Sequence, residues 1–180
     1  MPVLKIRNLI GLGKIGVECS PDINGLTGGL ELRLIYLLKK KPLASTEFPY
    51  LIAADNYHDL ARKEVDLVEI SDIDQHFYEM VKRSSSKHMG FEIAVNKLRT
   101  AKDQKLANKI ALIKTIHGFA EKYGNQLVLT SGASSVFEMV SGRCFDALLT
   151  LCDIKPETYW NSLNKWLEYK IGMRCYTCDA

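Results

Sequence analysis

The sequence predicts an α/β fold, a mostly parallel sheet surrounded by helices, and three observations carry that expectation. Short apolar runs of strand length recur from Tyr50 onward. Segments with apolar residues at helical spacing lie between them. The interval from one run to the next is that of βαβ units, whose crossover helices make neighbouring strands parallel.

Taken in order, Lys14 to Cys19 reads as a strand, and Leu30 to Leu38 as a strand or a helix. Lys39-Lys40-Lys41-Pro42 is a surface turn. Tyr50 to Ala54 is a short apolar strand, Tyr57 to Glu64 a short helix, and Val65 to Ile70 alternates as a strand does. From Asp72 to Arg83 a helix carries Ile73, Phe77, Met80 and Val81 on one face, and Ser84-Ser85-Ser86 breaks it. Met89 to Val95 forms the next strand.

Thr100-Ala101-Lys102-Asp103 has the form of a capping box, with Asp for the commoner Glu. The helix it opens carries Leu106, Ile110, Ile113, Ile116 and Ala120 and stops at Lys122-Tyr123-Gly124. Gln126 to Leu129 is a buried strand that runs into Thr130-Ser131-Gly132-Ala133-Ser134-Ser135, a loop almost without side chains. Either that loop packs tightly or a ligand approaches its amides. Pro156 suits the first residue of a last helix, with Trp160, Leu163 and Leu167 as its apolar stripe. With the ambiguous segments included there are about six or seven strands, enough for a β/α barrel with reduced helices in a chain below the usual ~200 residues. An open doubly wound sheet is the competing architecture.

The chain of 180 residues fits a single domain, 1–180, with no internal repeat or low-complexity linker. Its 47% hydrophobic and 25% charged residues are those of a globular protein. No apolar run approaches the ~20 residues of a membrane span. Met1 to Arg7 lacks the features of a secretory signal. Five cysteines do not form a paired framework, which fits a reducing cytoplasm. The net charge of +3 is small but unevenly spread. Asp55 to Glu79 holds eight acidic residues against Arg62 and Lys63, whereas Lys97 to Lys122 holds seven basic ones against Asp103 and Glu121. These are either two solvated helix faces or one side turned toward a polyanion.

Several motifs point to chemistry that their surroundings do not support. Gly11-Leu12-Gly13-Lys14-Ile15-Gly16 matches G-x-G-x-x-G but opens a strand, where a dinucleotide site needs a helix. Cys175-Tyr176-Thr177-Cys178 lacks the second ligand pair of a zinc site, so both cysteines read as exposed tail thiols. His58, His76, His88 and His117 never take metal-ligand spacing, and His117 sits near an apolar helix face as a packed residue. Asp55, Glu69 and Glu92 lie in or at the ends of strands and would meet at one rim if those strands align. Lys102, Lys105 and Lys109 fall within roughly a 60° wedge that further along becomes Ile113, Ile116 and Ala120. Those lysines either lay their stems on apolar surface or form a row that tracks phosphates.

A strand ending in Ser131-Gly132-Ala133, then Phe145-Asp146-Ala147-Leu148-Leu149 and a C-terminal helix, resembles ribonuclease P protein component 3. This is the archaeal counterpart of the thirty-kilodalton barrel subunit of eukaryotic ribonuclease P. Gly90 to Val95 and Ala107 to Tyr123 are similar to that family too, and the likeness extends more weakly back to Tyr50. Asn96-Lys97-Leu98 stands where the family has Arg-Pro-Leu, and Gly142-Arg143-Cys144-Phe145 lacks the family's proline.

The resemblance implies a reduced, TIM-like (PHP-like) barrel that is not itself the catalyst. The RNA subunit, with its own magnesium, removes the 5′ leader of precursor tRNA, and the protein binds no cofactor. Its partners would be ribonuclease P RNA and protein component 2, with precursor tRNA met indirectly and no membrane involved. RNA contact is expected from Lys97, Arg99, Lys102, Lys105, Lys109, Thr130, Ser131, Gly132, Ser134 and Arg143. No catalytic or metal-ligating residue is expected. A metal-dependent phosphoesterase on a PHP-like barrel and a non-catalytic protein-interaction module are the alternatives.

Overall fold

The computed structural model describes residues 34–37, 50–54, 65–84, 87–99, 101–131 and 140–175. Among these, five strands form one parallel sheet: β1 (Leu34–Leu37), β2 (Tyr50–Ala54), β3 (Leu67–Glu69), β4 (Gly90–Ala94) and β5 (Gln126–Thr130). Their spatial order follows the chain, β1-β2-β3-β4-β5. Each crossover therefore steps in the same direction, as in a barrel, and the reversal that defines a doubly wound sheet is absent among the described residues. Closure of β5 onto β1 is likewise absent among them. The α/β expectation holds, and among the described residues the sheet is open. The strand expected at Lys14 to Cys19, the Gly11–Gly16 loop and the helix at Tyr57 to Glu64 lie outside the described residues.

Among the described residues the helices are α1 (Gln75–Ser84), α2 (Asn96–Arg99), α3 (Asp103–Tyr123), α4 (Gly142–Leu151) and α5 (Pro156–Cys175). Strand alternation sends neighbouring residues to opposite faces. Phe91 points to the face covered by α1 and α3, where its ring lies 5.7 Å from that of Phe77. Phe77 in turn meets Phe119 of α3 at 6.0 Å. Gly90 points the other way, to α5. A Cβ there would come within 2.3 Å of Leu67 Cδ2 and 2.9 Å of the Trp166 ring, so only glycine fits between strand and helix.

The predicted stripe of α5 is buried throughout, with Trp160, Leu163 and Leu167 in the core. Tyr159 has a more particular task. Its hydroxyl accepts the outward-facing N–H of Leu129 at 2.9 Å, satisfying a backbone donor on the far edge of β5. Burial pushes the Tyr159 phenol well above its usual range, so it stays protonated.

The amino ends of the strands are knitted together by buried polar contacts. Asn125 Oδ1 accepts the Met89 N–H at 2.9 Å. Trp166 Nε1 donates to the His88 carbonyl at 2.6 Å and Lys170 Nζ to the Lys87 carbonyl at 2.8 Å. Lys170 also pairs with Asp66 at 3.7 Å, both side chains less than a tenth exposed.

Candidate nucleic-acid interface

The length of α3 decides what stands at the other end of the sheet. Its 21 residues span about 31 Å, whereas the 5 residues of β5 rise only about 17 Å. The helix ends at Gly124, in the left-handed region at φ 67°, and the chain enters β5 two residues later. The excess length must therefore stand past the carboxyl ends of β4 and β5. Burial agrees: Ile113, Ile116 and Ala120 are in the core, while Asp103, Gln104, Lys105, Ala107 and Asn108 are exposed.

The cationic row lies on this projecting half. Lys102, just before the helix, and Lys105 are exposed and Lys109 is half-buried; Lys105 and Lys109 share the helical azimuth that lower down packs Ile113, Ile116 and Ala120 against the sheet. The row thus leans over the carboxyl rim. Arg99, at the end of α2, is also exposed there, because the backbone from β4 through α2 stays on the rim: Val95 N–H donates to the Thr130 carbonyl and Asn96 N–H to the Ser131 carbonyl. Among the described residues none of Arg99, Lys102, Lys105 and Lys109 forms an ion pair. Cations elsewhere do: Lys114 pairs with Asp153 and Lys170 with Asp66.

The other expected contact residues are placed differently. Thr130 and Ser131 are fully buried. The Thr130 hydroxyl, expected to be free for phosphate, donates to Glu92 Oε1 at 2.7 Å. Of the two expectations for this strand end, packing holds at Thr130 and Ser131, which lie beneath the rim. Gly132 and Ser134 lie outside the described residues, and the side chain of Lys97 is not described. Arg143 is exposed on the first turn of α4. Asp146 of the same helix accepts the Trp160 indole N–H at 2.7 Å, and Phe145 and Leu149 are buried, so that motif joins α4 to α5.

The capping box is also corrected. Lys102 is the residue before the helix, extended at φ −124° and ψ 153°, with no side-chain cap. Asp103 takes φ 48°, a left-handed conformation aspartate tolerates better than most. Glu69 and Glu92 are register partners on adjacent strands and face the same side, with Glu92 buried; Asp55 lies outside the described residues. Among those described, no three His, Cys, Asp or Glu side chains gather as a metal site. Cys175 ends α5, while Cys178 lies outside the described residues.

A cavity of about 540 Å³ opens at the opposite end of α3, between that helix, the edge of β5 and α5. His117 lies on its wall, near Glu121 Oε1 at 3.6 Å, and burial lowers its pKa from the ordinary value despite that carboxylate. Sequence reasoning missed this cavity, since its residues come from positions 88 to 169 and no local spacing joins them.

The geometry defines a singly wound parallel α/β protein with a cationic carboxyl rim. No protein-family model and no curated protein matches the sequence. Among solved structures, the chain is similar to one in a cryo-EM structure of archaeal ribonuclease P with mature tRNA, at a TM-score of 0.60 and 10% identity. The match covers 83% of this chain and 86% of that one. At that identity the likeness shows a common fold. Among the described residues, no helix is long and apolar enough to cross a membrane.

Proposed function

We propose that this chain is a protein subunit of ribonuclease P, of the component 3 type. It would bind the RNA subunit through phosphates and support its fold and metal sites, while the RNA carries out removal of the 5′ leader from precursor tRNA. One observation carries the reading: a fold that matches a ribonuclease P chain over most of both lengths, on a sequence that resembles the family at Ser131-Gly132-Ala133 and Phe145 to Leu149. The cationic rim supplies the physical means. Lys105 and Lys109 stand about 6 Å apart along the helix axis, within reach of neighbouring phosphates, and Lys102 just precedes the helix. Arg99 extends the row and Lys97 belongs to the same segment. Contacts of this kind fix position on an RNA without reading its bases.

Component 2 is the protein partner this reading names, and the exposed carboxylates Asp72, Asp74 and Glu79 are groups of suitable charge for it. Reconstitution with a ribonuclease P RNA tests the proposal: leader removal at low magnesium rises when the chain is added, and the chain alone cleaves nothing. Cleavage of a phosphodiester by the isolated chain with manganese or zinc would favour the phosphoesterase alternative. Replacing Lys102, Lys105 and Lys109 with alanine lowers the slope of log affinity against log salt by about 0.7 to 0.9 for each phosphate that is no longer neutralised. An unchanged slope removes the row from the interface.

A further inference from the structure

We propose that the cavity between α3, the edge of β5 and α5 holds a single unstacked guanine nucleotide. This site goes beyond the phosphate row and does not depend on the ribonuclease P reading. It lies at the far end of α3, roughly 28 Å along the helix from Lys102. Its volume of about 540 Å³ is in the range of small-molecule sites and suits a nucleoside monophosphate.

Each part of such a ligand meets a matching wall. The floor is apolar, made by Ala120 and Leu127, both buried. On one side the rings of Tyr169 and His88 meet edge to face at 5.3 Å, and Tyr169 remains 48% exposed, so a ring face is open to stack a base. That wall is held in place: Trp166 donates its indole N–H to the His88 carbonyl, and His88 Nδ1 lies 2.8 Å from the Gly124 carbonyl. Opposite stand His117 and Glu121, one helical turn apart on α3. Guanine alone among the four bases presents two adjacent donors, N1–H and N2–H, on its Watson–Crick edge, and one carboxylate accepts both. A half-buried His117, its pKa lowered by that burial, offers one donor and one acceptor beside it when neutral. Lys165, exposed on α5, stands at the mouth as a partner for the phosphate. Gln126 and Ser162 also line the cavity, but they bond to each other at 2.7 Å and so supply wall rather than recognition.

The ligand is either a free nucleotide or an unpaired guanosine of an RNA strand, and titration of the full chain separates them. Calorimetry with guanosine monophosphate, adenosine monophosphate, guanosine and a short single-stranded RNA bearing one guanine is the experiment. We expect the guanine nucleotide to bind at least roughly tenfold tighter than the adenine one, in keeping with one bidentate contact. Glu121→Gln, a near-isosteric change at an exposed side chain, erases that preference. Lys165→Met weakens the monophosphate and leaves guanosine unchanged. Binding by the RNA alone, lost in Tyr169→Ala, assigns the pocket to an RNA nucleotide. Equal affinity for the two monophosphates, an intact preference in Glu121→Gln, or no binding by any of the four ligands overturns the proposal.

Discussion

The two ends of the sheet are built on opposite terms. At the amino end, Asn125, Trp166 and Lys170 spend their polar groups on backbone carbonyls, a backbone N–H and a buried aspartate, so charge there is internal and paired. At the carboxyl end, α3 outruns the strands, and Lys105 on it and Lys102 just before it stand in solvent with no ion pair among the described residues. One helix thus serves both, buried where it meets Ile113 to Ala120 and projecting where it carries lysine. The difference teaches that burial, more than residue type, decides which cations hold the fold and which remain for a partner.

If that division is right, substitutions at the two ends fail in different ways. The largest effect is expected at Lys170. Lys170→Ala takes the lysine partner from buried Asp66, and chemical denaturation should show a loss of about 3–5 kcal/mol. A loss below about 1 kcal/mol would mean the amino-end pair is only decorative. Gly90→Ala follows, at about 1–3 kcal/mol, because the added methyl enters space held by Leu67 and Trp166. Tyr159→Phe leaves the Leu129 N–H without its acceptor and should cost about 1–3 kcal/mol, read as a lower Tm. Smallest of all, the triple alanine variant at Lys102, Lys105 and Lys109 should unfold within about 0.5 kcal/mol of the parent per surface substitution. A large destabilisation there would show that the row supports the fold and would blur the contrast.

Much of the scaffold was legible because its signals are local. Tyr50–Ala54 is a strand with the bounds its apolar run predicts, and Gly124 ends α3 in the left-handed conformation that a glycine stop announces. The wedge shared by Lys105, Lys109, Ile113 and Ile116 also follows from helix periodicity, and the structure adds which part is buried. Leu30 to Leu38 was ambiguous by pattern; pairing with β2 settles Leu34–Leu37 as a strand. The occupation of the Thr130 hydroxyl was not legible, because it depends on the register between β4 and β5 that brings Glu92 alongside. Nor was the helix start: Asp103 adopts an unusual backbone angle that no capping pattern encodes. The cavity was hidden for the same nonlocal reason, and only the polar and aromatic residues of α5 outside its apolar stripe, Lys165 and Tyr169, hinted at it.

The hydroxyl that Tyr159 lays against Leu129 has a consequence for crowded conditions. A sheet margin with a vacant amide invites another chain to add a strand, which is how many β-rich proteins begin to polymerise. Here that amide is already taken by the phenol hydroxyl. Tyr159→Phe uncovers that amide, and more turbidity than the parent at high concentration is the expected outcome.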